Sequence, residues 1–222
     1  MVINKIKFPI YSTMIILSLI IASIYIAINL HKNKVNKNKI KYYILMMFSY
    51  ALFGGIILSK VLLHDDGLSS YAGAISVIIA AFIFEKIDNE QNGLYIKYSI
   101  ISLPLIYGIS KLGCFLAGCC YGIPYNGILS VTYTSDLNIP LFPIQLLESI
   151  VFIITFLILN KIKDKYDKYI IEITIIVCSL IKFLLDFLRY DHVFKIITKN
   201  QIISIVFIIV IIILIIKRNF KK

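Results

Sequence analysis

The stretch FPIYSTMIILSLIIASIYIAINL (Phe8–Leu30) runs directly into HKNKVNKNKIK (His31–Lys41). The first part is 23 residues long and holds no charged side chain. A bilayer core about 30 Å thick is crossed by about 20 apolar residues of helix. A cleaved leader has an apolar stretch of only about 7–15 residues, with its basic residues in front. Here the run is too long and the lysine-rich stretch follows it. The pair therefore reads as a first membrane helix leading into a lysine-rich loop.

The same grammar repeats along the chain. Apolar segments fall at about 9–30, 42–63, 71–84, 98–116, 146–160, 170–188 and 201–216, separated by short polar stretches. Hydrophobic residues make up 59% of the 222-residue chain, well above the roughly 45–50% of a soluble domain. The expected fold is all-α: a multi-pass transmembrane helical bundle of about seven helices, with 1–222 forming a single integral membrane domain and no internal repeat. The net charge of +11 does not indicate nucleic-acid binding, because most of the lysines sit in short runs between apolar segments. Segments 31–41, 85–97, 161–169 and 217–222 together carry fifteen Lys and Arg, and the alternate segments only five. By the positive-inside rule the N-terminus is expected outside and the C-terminus inside. The long loop 117–145, which has no Lys or Arg, is then external.

Ionisable groups within apolar runs cost at least about 2.5–3.5 kcal/mol each on insertion scales. IKFLLDFLRYD places Lys182, Asp186 and Arg189 at helical spacings of four and three, hence on one stripe. Lys111 ends the fourth segment and Glu148 begins the fifth. Two readings stand side by side. One is structural: charge pairing inside a bundle, with Arg189 and Lys111 reaching to the interface as anchors. The other notes that Lys111, Glu148, Asp186 and Arg189 gather at one face of the membrane, which suits a polar cavity for a lipid phosphate.

Gly54 and Gly55 in LFGGIIL, and YAGA at Tyr71–Ala74, can let helices approach closely. Gly108, Gly113 and Gly118 are five apart, which is no single helix face and suggests a bent or broken helix end. Cys178 is isolated and reads as a small buried residue. Cys114, Cys119 and Cys120 form a C-x4-C-C cluster that lacks the paired spacing of zinc sites. A disulfide from Cys114 to Cys119 or Cys120 and simple compact packing are both open.

Taken in order, GLSSYAGAIS, GISKLGCFLAGCCYG, FPIQLLE, and IKFLLDFLRYD followed by TKNQIIS resemble the motifs of the prolipoprotein diacylglyceryl transferase family. There the counterparts are a serine-containing turn before His-Gly-Gly, Arg-x-Gly-Asn-Phe-x-Asn-Gly, Pro-x-Gln-Leu-x-Glu, and Glu-Phe-x-Arg. The resemblance implies seven helices with an outside N-terminus. It also implies a plasma-membrane enzyme that moves a diacylglyceryl group from phosphatidylglycerol to the lipobox cysteine of prolipoproteins at the outer leaflet of a bacterium. No metal or organic cofactor and no nucleic acid are implied.

Carried over residue by residue, the resemblance implies catalytic roles for Tyr71, Lys111 and Arg189. It implies substrate contacts from Gly113, Cys114, Gly118, Gln145, Glu148 and Asp186. Several of these depart from the family pattern: Tyr71 stands for the histidine, Lys111 for the arginine, Cys114 for the asparagine, Cys119 for an acidic residue and Asp186 for the glutamate. The alternatives are a non-catalytic lipid-binding accessory protein of the same fold and a thiol-redox membrane enzyme. Because the family reaction uses the substrate's thiol, the chain's own cysteines are expected to be packing residues.

Overall fold

Each apolar segment becomes a helix, most of them extended into the neighbouring polar residues. The computed structural model describes residues 2–3, 9–63, 69–133 and 139–220. The helices are α1 (Ile10–Lys32), α2 (Lys37–Ser49), α3 (Gly55–Leu58), α4 (Ser70–Ile87), α5 (Leu94–Ala117), α6 (Ile144–Ile162), α7 (Ile170–Asp186) and α8 (Lys199–Phe220). Wider π-helical turns at Tyr50–Gly54 and Ser59–Leu63 join α2 and α3 into one rod, so the seven predicted segments give seven rods. Six of them, 10–32, 37–61, 70–87, 94–117, 144–162 and 199–220, are long and apolar enough to cross a membrane. The 17 residues of α7 make the shortest rod. Two-residue strands, β1 (Val2–Ile3) and β2 (Thr132–Tyr133), pair in parallel. Ile24, Ile28, Ile154, Leu157, Ile209 and Ile213 are exposed on α1, α6 and α8, as lipid-facing side chains are.

The chain divides into two compact units: Leu19–Ile106, and Met1–Ser18 with Tyr107–Lys222. In the first, Tyr43, Phe84 and Tyr95 form an aromatic knot, with ring centroids 4.8–5.2 Å apart in tilted and edge-on geometry. The Tyr43 hydroxyl is hydrogen-bonded to Ser99. Glu85 accepts the backbone N–H groups of Gly93 (2.6 Å) and Tyr95 (3.0 Å), satisfying donors at the start of α5 that no helical carbonyl can reach. Asp88 accepts from the Lys39 ammonium and the Tyr95 hydroxyl, both at 2.7 Å. Gly54 packs tightly: a Cβ there would sit 3.2 Å from Ser76 Oγ. A Cβ on Gly73 would meet nothing within 4 Å among the described residues. Tyr71 is buried in the first turn of α4.

In the second unit α7 and α8 are clamped at both ends. Arg218 meets Glu172 at 2.6 Å, and Thr198 donates its hydroxyl proton to Asp186. Thr198 and Gln201 form a reciprocal capping box, each side chain accepting the other's backbone N–H at 3.2 and 3.1 Å. Leu141 and Val131 exchange backbone hydrogen bonds at 2.9 and 3.0 Å, and with Phe115 and Tyr133 they make a small core under the long loop. The loop then pairs antiparallel with the end of α7: Ile123 N donates to Leu188 O and Tyr190 N to Tyr121 O, both at 3.0 Å. Gly122 lies in this ladder. A Cβ there would stand 2.3 Å from Phe142 O and 3.2 Å from Leu188 O, so only glycine fits.

Gly122→Ala is expected to destabilise the protein by roughly 1–3 kcal/mol, the range for overpacking, read as a lower midpoint of thermal unfolding in detergent. Asp88 gives a pH dependence. Burial pushes its carboxyl up, but the hydrogen bonds from Lys39 and Tyr95 outweigh this and hold it below the usual carboxylate range. A depressed carboxyl contributes stability that is complete above its unfolded value of about 4 and is lost as pH falls through the lower folded value. Asp88→Asn should lower the unfolding midpoint at neutral pH and flatten its decline below about pH 4. The check is a series of melts across that range.

Candidate functional site

All the sequence-predicted site residues except Tyr71 lie in the second unit, and its last helical turns and loop bring most of them together. Lys111 is on α5 and Glu148 on the second turn of α6. The ammonium and Glu148 Oε2 are 2.6 Å apart, and both residues are almost fully buried. Glu148 Oε1 accepts the Tyr107 hydroxyl at 2.7 Å. Tyr107 precedes Lys111 by one helical turn, so the two reach the same carboxylate from one face. The Tyr107 ring also faces the ammoniums of Lys111 (5.1 Å) and Lys182 (4.6 Å), within cation–π range. Phe152 packs against the ring at 4.4 Å between centroids.

The second ionic centre is Asp186, 2% exposed at the end of α7. It accepts from Thr198 and, at 3.2 Å, from Asn200. Both donors stand at the start of α8, where the helix dipole favours a carboxylate. Arg189 Nε is 3.9 Å and His192 Nε2 3.5 Å from its oxygens, beyond hydrogen-bond distance or alignment. Arg189 Nε, His192 Nε2 and Gln201 Nε2 are buried and have no hydrogen-bond partner among the described residues. Lys111, Glu148, Asp186 and Arg189 all lie close enough to act on the charge of Lys182.

The glycines take other places. α5 is continuous through Gly108 and Gly113 and ends at Ala117, so the bent or broken helix suggested by their spacing is not found. Close crossings explain them instead. A Cβ on Gly108 would lie 2.9 Å from Ile153 and 3.1 Å from Ser149 O on α6. On Gly113 it would lie 2.7 Å from Met14 of α1. Gly118 ends α5 in the left-handed region (φ +65°). Gln145 donates to the Cys119 carbonyl at 2.7 Å and so holds the turn after α5. All four cysteines are free thiols, which leaves packing or another use for the cluster. Hydrogen bonds from Cys114 and Cys119 and the charges of Lys111 and Arg189 draw the Cys120 thiol far below its ordinary range, against the effect of burial.

Sequence reasoning missed Tyr107, His192, Thr198, Asn200 and Gln201. Tyr107 could have been found as the aromatic partner four residues before Lys111, and Thr198 and Gln201 as a capping box. No local pattern marks His192.

A family model described as "Prolipoprotein diacylglyceryl transferase" matches residues 1–217. The phosphatidylglycerol–prolipoprotein diacylglyceryl transferase of Clostridium tetani is 27% identical over 204 residues, covering 82% of this chain and 80% of that protein. Transferase 1 of that name from Clostridium perfringens is 26% identical over 243 residues, covering 96% and 92%. Transferase 2 of the same species is 29% identical over 128 residues, covering 54% and 47%.

Removing one partner of a buried ion pair costs about 3–5 kcal/mol, because the other charge is left without compensation. Glu148→Gln should therefore lower stability by about that amount, and Lys111→Met with Glu148→Gln should recover a good part of it. Unfolding of the two single variants and the double variant in detergent closes the cycle.

Proposed function

Since the chain belongs to the prolipoprotein diacylglyceryl transferase family, we propose that it transfers a diacylglyceryl group from phosphatidylglycerol to the lipobox cysteine of prolipoproteins. In this reading the enzyme sits in the plasma membrane of a bacterium, N-terminus outside, with the site open to the outer leaflet. The observation that carries it is a set of buried nitrogens that lack a hydrogen-bond partner among the described residues: Arg189 Nε and His192 Nε2, which face Asp186, and Gln201 Nε2 in the first turn of α8. Buried polar groups are rarely left so, and an anionic phosphodiester supplies the acceptors they lack.

Arg189 and Lys111 stabilise the charge that grows on the phosphate oxygen as the glyceryl carbon–oxygen bond breaks, an electrostatic role in a dry site. Glu148 and Asp186 position those cations, and Gln145 with Gly118 and Cys114 holds the turn beside them. Gly113 gives the close approach of α1 that the turn requires. The acceptor thiolate attacks the glyceryl carbon, and a thioether and glycerol 1-phosphate result.

Complementation of a transferase-depleted bacterium, with lipidated prolipoprotein as the readout, tests the reading. Arg189→Ala should nearly abolish lipidation at matched expression. Arg189→Lys keeps the charge but loses the planar fork, and should reduce transfer by roughly 10- to 100-fold, the equivalent of one charge-assisted hydrogen bond. Near-normal transfer by Arg189→Lys would make Arg189 an interfacial anchor. Phosphatidylglycerol binding with no lipidation by the wild-type chain would favour the accessory protein instead.

A further inference from the structure

The end of α5 is a Schellman turn. Gly118 adopts the left-handed conformation, Cys119 N donates back to Cys114 O at 3.1 Å, and Gly118 N to Phe115 O at 3.3 Å. This motif sets the residue after the glycine against the one five positions earlier, and here both are cysteines. Cys120 is also left-handed (φ +57°), a conformation uncommon outside glycine, asparagine and aspartate, and costly. The result of these two reversals is that the sulfurs of Cys114, Cys119 and Cys120 all lie within 4.8 Å of one another. Cys114 is buried and the other two are half-buried.

We propose that Cys114, Cys119 and Cys120 form a three-thiolate site for zinc, whose open fourth position takes the acceptor cysteine. The C-x4-C-C spacing lacks a zinc-ribbon pattern because two left-handed residues, and not two hairpin knuckles, assemble the ligands. Zinc–sulfur bonds are about 2.3 Å, so tetrahedral sulfurs stand about 3.8 Å apart, a contraction of about 1 Å at most from the present spacing. A disulfide would use two thiols and leave the third over; a metal uses all three. Three protein ligands with a vacant fourth position are the pattern of catalytic zinc. Gly122, two residues after Cys120, pairs with Arg189, which sets the cluster beside the cationic site.

Resting on the transferase reading, the fourth ligand is the lipobox thiol. Its S–H bond breaks as the sulfur–zinc bond forms, and the proton goes to water; a coordinated thiol is deprotonated outright. The bound thiolate then displaces the phosphate oxygen at the glyceryl carbon.

The test begins with the full-length protein purified in detergent under reductant and loaded with zinc, its metal read by mass spectrometry. About one zinc per chain is expected, as for a single site. Cys119→Ser and Cys120→Ser should each lose it, and Cys178→Ser should retain it. Cobalt in place of zinc should show thiolate charge-transfer absorption and tetrahedral ligand-field bands. A lipobox peptide should shift those bands, and its Cys→Ser counterpart should not. Wild-type protein that takes up no zinc or cobalt, or Cys120→Ser that keeps its metal, overturns the site. Bands unmoved by the cysteine peptide overturn the acceptor role. Lipidation that persists in the metal-free Cys119→Ser, Cys120→Ser chain overturns this proposal and leaves the transferase reading standing. Stoichiometric zinc that responds to the cysteine peptide in a chain that never lipidates supports the site and removes the transferase reading.

Discussion

A salt link almost wholly withdrawn from water, Lys111 to Glu148, is the constraint on which the second unit is organised. Taking two such charges out of water costs several kcal/mol apiece, recovered only with near-ideal geometry and satisfied neighbours. A third residue adds a hydrogen bond to the same carboxylate. Tyr107 fills the carboxylate oxygen that Lys111 leaves open, and its ring faces both nearby ammoniums. These contacts fix α5 against α6 in register. The same register lets Gln145, one turn before Glu148, reach the Cys119 carbonyl. The turn after α5 is therefore positioned by the ion pair below it.

Tyr107 also supplies what a lysine lacks, since Lys111 is a point charge with no fork. Lysine and tyrosine together present two donors to Glu148, one to each oxygen. A two-point grip on the carboxylate is thus built from two residues. Asp186 is likewise met by two side chains, Thr198 and Asn200, from the start of α8.

The helices were legible because bilayer thickness and hydrophobic run length are tied together, and all seven segments lie where the apolar runs predict. The pairing of Lys111 with Glu148 was half legible: both stood out as charges in apolar surroundings, but only the fold could say which cation met which carboxylate. The cysteine cluster was the least legible. Its assembly depends on φ at Gly118 and Cys120, and a cysteine in the left-handed region leaves no mark in composition or spacing. Gly122 was unreadable for a related reason. It is required by the carbonyls of Phe142 and Leu188, which come from segments distant in sequence. Gly108 and Gly113 misled because five-residue spacing was read as a break, when each serves a different neighbouring helix.

The brevity of α7 has a consequence for the surrounding lipid. Seventeen residues at 1.5 Å each span about 26 Å, a few ångströms less than the hydrocarbon of an average bilayer. One end cannot shift freely, since it is laced to 121–123 by backbone hydrogen bonds and to α8 through Asp186. Where α7 crosses a bilayer, the mismatch is expected to thin the membrane beside it at a fraction of a kcal/mol per ångström. Headgroup phosphates at its Asp186 end would then ride lower along the helix, toward Arg189, than those in the undisturbed leaflet.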